Sequence, residues 1–539
     1  IEKQKFELSV QLLRKAGELG LLGADVPEKY GGLGLDKISS AIIAEKMAPA
    51  RSFSITLGGQ VGIGSLPIAF FGTEEQKKKY LPGLATGEKI AAYALTEPSA
   101  GTDALNAKTT ATLSEDGRYY ILNGEKQWIT NSGFADIFIV YAKVDGQHFT
   151  AFIVEKEFEG VSTGPEEQKM GLKGSSTRTL ILNDVKVPVE NVLGEIGQGH
   201  KIAFNILNIG RYKLALGCAG ANKRLLEISV QYAKQRKQFN QPLANFGLIK
   251  EKLANMAILT YVTESTVYRT AGLLDNSFNR LSEEEQEDGR KVAEAIAEYA
   301  VECSINKVFG TEALDYVVDE AVQIHGGYGY MAEYEVENFY RDSRIFRIFE
   351  GTNEINRLII PATLMRKAMK GELDLIAQAQ KVQEELMTLM PEEPDTNVPL
   401  AKEKQHLEMA RKLFLMVAGA AVQKYQDKLR DEQEVVGRLA DMVIEIYAMD
   451  SAILRTLKAI AKNGEEKEKQ KLDYTRVYVQ EAFQRMELWA RECLAYLEEG
   501  DTLRTMLAMV KKLTRYLPLN TVAIKRQIAD RILEAERYV

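Results

Sequence analysis

The spacing of apolar residues changes twice along the 539-residue chain, and each change rules out a set of folds. Over residues 1–90, Leu, Ile and Ala recur every three or four positions, the period of a helix with one buried face. Loop signals such as Pro27-Glu28-Lys29-Tyr30-Gly31-Gly32 break the pattern into short helices. From about residue 91 the period becomes two. Tyr119-Tyr120-Ile121-Leu122-Asn123-Gly124 reads as a strand entering a turn, Ile137-Phe138-Ile139-Val140-Tyr141 as a buried strand, and Thr150-Ala151-Phe152-Ile153-Val154 and Thr179-Leu180-Ile181-Leu182 continue the pattern. The spacing predicts an antiparallel sheet or small barrel over 91–195. After Gly199 the helical period returns, with amphipathic stretches over 221–237 and 292–308, and holds to about residue 370, as in a helical bundle. Three of the chain's 13 prolines then fall within residues 391–399, which reads as a linker, and 401–539 is again helical.

Such a chain exceeds the roughly 250–300 residues at which one core stops growing, so several domains follow. The expected organisation is α+β: a helical domain over 1–90, a β domain over 91–195, a bundle over 196–370, a linker over 371–400 and a helical extension over 401–539. Composition removes whole classes of function. Lys and Arg number 69 against 76 Asp and Glu, so no global positive field draws nucleic acid or an anionic membrane. The three cysteines lie more than 80 residues apart and the four histidines at least 50 apart, which fits neither a disulfide framework nor a local metal cluster. No run approaches about 18 uninterrupted apolar residues. The chain begins at Ile1 rather than Met, so its start is silent on any trimmed targeting segment.

Two motifs are decoys. Gly160-Val161-Ser162-Thr163-Gly164 matches a nucleophile elbow but lacks the strand-turn-helix context, and Gly58-Gly59-Gln60-Val61-Gly62-Ile63-Gly64 has neither the spacing nor the setting of a dinucleotide loop. Five other segments carry chemistry, each with a plainer reading beside it. Tyr93-Ala94-Leu95-Thr96-Glu97-Pro98-Ser99-Ala100-Gly101-Thr102-Asp103 is an apolar strand breaking into a loop of hydroxyls and small residues, able to offer N–H and O–H groups to a pyrophosphate or to make an ordinary turn. In Gln127-Trp128-Ile129-Thr130-Asn131, Trp128 stacks on a flat ring or fills a sheet core. Arg236-Lys237-Gln238-Phe239 grips phosphate or complements a helix C-terminus. The glycines of Gln323-Ile324-His325-Gly326-Gly327-Tyr328-Gly329 admit a ligand against the backbone or form a turn. Glu350, after the run Arg344-Ile345-Phe346-Arg347-Ile348-Phe349, is either a carboxylate in apolar surroundings, suited to act as a base, or the acidic complement of a helix starting at Gly351 or Thr352.

In this order, Leu95-Thr96-Glu97-Pro98 with Gly101, Trp128-Ile129-Thr130, Arg236 with Phe239, Gln323 with Gly326-Gly327, and Phe349-Glu350-Gly351-Thr352 resemble the acyl-CoA dehydrogenase family of flavoenzymes. The extension after the Pro-rich stretch resembles that of its very-long-chain branch, as does Phe204-Asn205-Ile206-Leu207-Asn208-Ile209-Gly210-Arg211. The resemblance implies an N-terminal helical domain, a middle β domain, a four-helix bundle and an additional helical domain. It also implies an FAD-dependent conversion of a long-chain acyl-CoA to the trans-2-enoyl-CoA, with electrons passed to an electron-transfer flavoprotein. Glu350 is then the base that removes the α-proton. Some relatives carry that carboxylate at the position of Gly210, which leaves Glu350 as the occupied site. Tyr93, Leu95, Thr96, Gly101, Thr102, Trp128, Ile129 and Thr130 are implied to cradle the flavin, Thr352 and Glu354 to reach it from the bundle, and Arg236, Phe239, Gln323, Gly326 and Gly327 to hold the FAD of a neighbouring subunit. Thr102 stands where most relatives have Ser. The implied substrate side is Thr102, Leu207, Asn208, Arg211, Phe349 and Gly351, with Arg211 near the CoA phosphate. Gly58, Gly59, Gly62 and Gly64 align with the end of the acyl pocket, although Pro67 departs from the small residue of the very-long-chain branch.

A homodimer follows from the shared cofactor site, with a tetramer as the alternative, and no metal is expected. The location implied is cytoplasmic for a bacterial chain, at the inner face of the membrane if the extension touches it, and the mitochondrial matrix or inner membrane for a eukaryotic one. Residues 440–460 are apolar enough for an interfacial helix or for a face packed on the bundle. Two competing readings keep the fold: an acyl-CoA oxidase using O₂, and an assembly or scaffold protein.

Overall fold

A computed structural model describes residues 1–388, 394–395 and 397–539. Among these residues five α-helices, from Phe6–Glu18 to Glu74–Thr86, precede eight strands. The long helices Gly199–Gln235, Gly247–Asn279 and Ala300–His325 follow, then Asn353–Met369 and six more from Leu375–Thr388 to Thr521–Ala535. The chain folds into two compact units, one of Ile1–Gly220, Thr270–Cys303 and Arg341–Gly351, the other of Ala221–Arg269, Ser304–Tyr340 and Thr352–Val539. The three long helices each supply residues to both.

In the first unit the helices start where the sequence supplies caps. Thr73 and Gln76 close a capping box on Glu74–Thr86, each side chain taking the other's backbone N–H, and Gly87 ends that helix at φ +76°. The Gly-rich run 59–64 continues the helix Ser52–Gly58 as a wider turn. Buried Gln60 anchors it, donating to the carbonyls of Leu84 and Lys89 and accepting from Ala91 N. Among the described residues one stretch, Ser52–Phe71, is long and apolar enough to cross a membrane, but 72% of its apolar 18-residue window is buried inside the protein.

The strands are β1 (Ala91–Ala94), β2 (Thr110–Leu113), β3 (Tyr119–Thr130), β4 (Ile137–Val144), β5 (His148–Glu155), β6 (Val161–Thr163), β7 (Thr177–Pro188) and β8 (Val192–Leu193). They form one sheet in the order β6-β7-β3-β2-β4-β5-β8, with β1 against β4. Phe138, Val140, Phe152, Val154, Leu180 and Leu182 fill its core. The sheet is mixed rather than purely antiparallel, because β1 and β2 both run parallel to β4. Parallel neighbours need a long crossover, and residues 95–136 supply it between β1 and β4. Gly124 is not in a turn. It sits inside β3 at φ +155°, beside a register shift against β7, and a Cβ there would stand 2.4 Å from Thr109 Oγ1. Ser162 lies in the short strand β6 paired with β7, which removes the elbow reading.

The helix expected over 292–308 is broken. Gly289–Ala297 stops where Ser277 Oγ takes the Ala295 carbonyl, Tyr299 N–H turns back to Ile296, and Ala300–His325 starts afresh. In the second unit, the expected linker 371–400 contains the helix Leu375–Thr388, apolar at helical spacing. Of the Pro-rich stretch, residues 391–393 and 396 lie outside the described residues. Residues 440–460 belong to the helix Gln433–Asn463, whose Ala440, Ile444, Ala448, Ala452 and Ile453 are buried, so this stripe packs inward.

Candidate active site

The first unit holds Glu350 in an unusual backbone. Glu350 has φ +59° and Gly351 φ +79°, two successive left-handed residues, of which the non-glycine costs roughly 1–2 kcal/mol. Arg211 secures that turn. Its Nε donates to the Glu350 carbonyl at 3.1 Å and its Nη1 to Asn208 Oδ1 at 2.9 Å, one helical turn earlier on the same face. Arg211 is only 5% exposed, and burial holds its guanidinium pKa below the usual value despite the neighbouring Glu350 charge. The resemblance placed this arginine on a CoA phosphate. Here its Nε and Nη1 are turned to Glu350 and Asn208.

The Glu350 carboxylate lies on the bare Cα of Gly210. A methyl group there would stand 2.7 Å from Oε2 and 3.0 Å from Cδ, so the glycine is what leaves room for this rotamer. Buried Tyr93 stands nearby, edge-on to Tyr141 at 5.3 Å; burial first, then Tyr141 and Glu350, push its phenol well above its ordinary pKa, so it stays neutral. Phe349 stacks on Phe346 at 5.4 Å, and Leu207 is half-buried on the Arg211 helix. Glu350 is thus held against Gly210, with Tyr93 and the Arg211 guanidinium near its charge.

Trp128 is not a core residue. It is 59% exposed at φ +59°, in the register break between Lys126 and Ile129, which turns the indole outward while Ile129 stays buried. Gln127 N–H donates to the Thr96 carbonyl at 2.8 Å, joining this bulge to the loop after β1, where Gly101 and Thr102 are exposed. Beneath the loop lies a pair that the sequence reading did not assign to the site. Lys126, fully buried, reaches Glu97 Oε1 at 2.7 Å and the Leu95 carbonyl at 3.2 Å. Glu97 also accepts from Lys108 N, Thr109 N and Thr109 Oγ1. Burial pushes Lys126 down to about 8, which leaves it charged at neutral pH; burial would raise Glu97, but Lys126 and its hydrogen bonds hold it below the usual range. Lys126 is flanked by Glu125 and Gln127 and Glu97 by Thr96 and Pro98, so no local alternation marks either charge as inward.

In the second unit Arg236, Gly326 and Gly327 meet in a groove of about 550 Å³ with Tyr232, His325 and Tyr328. Tyr232 stacks on His325 at 4.2 Å, and Arg236 lies over the Tyr328 ring at 5.5 Å. Burial keeps His325 below its ordinary pKa, outweighing the Ala321 carbonyl, so the ring is neutral. Gly326 needs its freedom at φ +58°, and neither it nor Gly327 has an atom within 4 Å of where a Cβ would be. Cation, flat rings and uncovered peptide form a surface suited to a nucleotide. Gln323 is exposed beside it, and Phe239 is 87% exposed at the tip of a turn that pairs Lys237–Gln238 with Gln241–Pro242. Thr352 caps the helix Asn353–Met369, its hydroxyl accepting from Ile355 N at 3.2 Å; Glu354 is exposed, its carboxyl held below the usual range first by its own backbone N–H.

Comparison with known proteins gives a consistent result. Family models of the acyl-CoA dehydrogenase N-terminal domain match residues 1–88 and of the middle domain 92–185; two models of an acyl-CoA dehydrogenase C-terminal domain match 197–365 and 409–512. A probable acyl-CoA dehydrogenase of Bacillus subtilis (strain 168) is 64% identical over 100% of this chain and 90% of its own. The mitochondrial very long-chain specific acyl-CoA dehydrogenase of Rattus norvegicus is 39% identical over 82% of this chain and 69% of its own. The crystal structure of an acyl-CoA dehydrogenase complexed with FAD from Bacillus anthracis has a TM-score of 0.99 and 66% identity, covering 100% of this chain and 92% of that one. A structure described as an electron transferring flavoprotein of Acidaminococcus fermentans has a TM-score of 0.61 and 38% identity over 66% of this chain and 90% of that one.

Proposed function

Because the chain belongs to the acyl-CoA dehydrogenase family, we propose that it oxidises long-chain fatty acyl-CoA to the trans-2-enoyl-CoA with bound FAD and hands the electrons to an electron-transfer flavoprotein. The observation that carries this reading is the Glu350 carboxylate lodged on Gly210, its backbone held by buried Arg211. Glu350 takes the α-proton. Fixing its backbone through Arg211 removes the need to reorganise during transfer. Neutral Tyr93 adds no competing charge.

The residues present fit the cofactor on observations of this chain alone. Trp128 turns out of the sheet core, Gly101 and Thr102 leave exposed peptide and hydroxyl, and Gly326 and Gly327 lie uncovered beside Arg236. Tyr93, Leu95, Thr96, Gly101, Thr102, Trp128, Ile129, Thr130, Thr352 and Glu354 would hold FAD, and Arg236, Phe239, Gln323, Gly326 and Gly327 that of a second copy, which makes the active form an oligomer. FAD, when bound, supplies the acceptor for the β-hydrogen as hydride. The long-chain assignment is supported by Gly62, which is buried yet has no atom within 4 Å of a Cβ position, leaving room beside the Gly-rich turn, and by the similarity to a very long-chain specific relative.

The test is anaerobic titration of purified protein with acyl-CoA of 4 to 18 carbons, following flavin absorbance, then reoxidation by electron-transfer flavoprotein or by O₂. Bleaching best with chains of about 14 carbons or more, and fast reoxidation only by the flavoprotein, is the expected result. Best bleaching by butyryl-CoA refutes the chain length, peroxide formed at the turnover rate refutes the acceptor, and protein without flavin refutes the reading.

A further inference from the structure

Within the second unit, four side chains, Asp441, Arg357, Glu312 and Asn353, form one line of contacts between the C-terminal extension and the start of the helix Asn353–Met369. Asn353, buried at the first residue of that helix, accepts from Lys307 Nζ at 2.6 Å and donates through Nδ2 to Thr311 Oγ1 at 3.1 Å and Glu312 Oε1 at 3.0 Å. Arg357, one turn on, grips both Glu312 oxygens, Nη1 to Oε1 at 2.7 Å and Nη2 to Oε2 at 2.8 Å. Its remaining edge donates Nε–H to Asp441 Oδ1 at 2.7 Å. Asp441 is buried in the helix Gln433–Asn463, within the extension.

This geometry has a directional consequence. A guanidinium is a rigid planar fork, so fixing Nε on one partner fixes where both Nη groups point. Asp441 therefore sets the plane in which Arg357 holds Glu312, and Glu312 shares the oxygen that Asn353 uses. Asn353 stands between Thr352, which caps the helix, and Glu354. We propose that Asp441 is a positioning residue for the Thr352–Asn353–Glu354 turn, acting through Arg357 and Glu312, so that the extension shapes the cofactor site and does more than cover the bundle. This rests on the reading that Thr352 and Glu354 hold FAD.

A second carboxylate on the same extension helix provides the control. Asp450 pairs with Arg269 at 2.9 Å, an equally direct link between extension and bundle that leads to no residue of the turn. FAD release is followed by flavin fluorescence after dilution of holoenzyme for wild type, Asp441→Asn, Asp441→Glu, Asp450→Asn, Asn353→Ala and the double variant Asp441→Asn/Asn353→Ala, with urea unfolding of each apoprotein alongside. Asp441→Asn is expected to release FAD about 3- to 30-fold faster. Asp441→Glu should restore most of that loss, Asp450→Asn should stay within twofold of wild type, and the double variant should fall short of the product of the two single effects. Release from Asp441→Asn within twofold of wild type overturns the proposal, as does an equal effect of Asp450→Asn or a fully multiplicative double variant. Wild type that holds no FAD overturns both the proposal and the function beneath it, whereas the other adverse results leave that function standing.

Discussion

Gly210→Ala separates the stability of the site from its chemistry, because the two should move in opposite directions. Residue 210 is inside the helix Gly199–Gln235, where replacing glycine by alanine stabilises a helix by about 0.5–1 kcal/mol. The added methyl would lie 2.7 Å from Glu350 Oε2, 3.0 Å from Cδ and 3.1 Å from Oε1. Ordinary carbon contacts begin near 3.5 Å, so the carboxylate must retreat by roughly 0.5–1 Å. It is the far end of a flexible side chain and can do so without disturbing the fold. A misplacement of about 1 Å costs up to about 10²-fold in rate, near 2.7 kcal/mol of barrier. Stopped-flow flavin bleaching by palmitoyl-CoA should therefore slow about 10- to 100-fold, while FAD content stays at the wild-type level and thermal unfolding is unchanged or slightly higher. A variant that bleaches at the wild-type rate refutes the placement of Glu350 on Gly210. One that unfolds shows that the helix, not the carboxylate, needs the glycine.

Other perturbations test other parts of the site. Trp128→Ala removes an exposed ring, so unfolding in urea should shift by less than about 0.5 kcal/mol while FAD dissociates several-fold faster; unaltered FAD release would return Trp128 to a surface role. Glu97→Gln leaves the buried Lys126 ammonium without its counter-charge and should cost about 3–5 kcal/mol in urea unfolding at pH 7. The pH dependence has a definite sign. In the wild type Lys126 titrates near 8 when folded and near 10.5 when unfolded, so the unfolded chain binds more protons between those values and this group's contribution to stability rises with pH across that window. Without Glu97 the folded value drops further, so the penalty of Glu97→Gln should shrink as pH rises; a penalty independent of pH from 7 to 10 would contradict the assignment. Arg211→Lys keeps the charge but gives up the fork, and kcat should fall at least tenfold with little change in KM, as expected when substrate binding is spared.

The parts of this molecule that were legible in the sequence are those with short-range signatures. Helical and strand periods marked the N-terminal helices, most strands and the extension, and the order of five motifs marked the family. What was not legible depends on pairs far apart in the chain. Whether Trp128 fills a core or faces outward is decided by a register break against β7, and no local pattern encodes a partner about 50 residues away. The parallel alignment of β1 and β2 with β4 is equally non-local. Arg211 carries the residue type of a phosphate ligand, and its contact with a carbonyl 139 residues on has no local signature. In the sequence Gly210 signals only the carboxylate it lacks; in the structure its bare Cα is the floor under Glu350. The helix Leu375–Thr388 was hidden by the prolines that follow it.

The central claim is that Glu350, so held, removes the α-proton, and the most direct measurement reads that step without turnover. Holoenzyme in D₂O is given an acyl-CoA analogue whose β-position cannot release hydride, and loss of the α-hydrogen signal is followed by NMR. Wild type should exchange the α-hydrogen within minutes, and Glu350→Gln, with FAD still bound, should show exchange at least 10³-fold slower. Exchange by Glu350→Gln at a rate near that of wild type would contradict the account and place the base elsewhere.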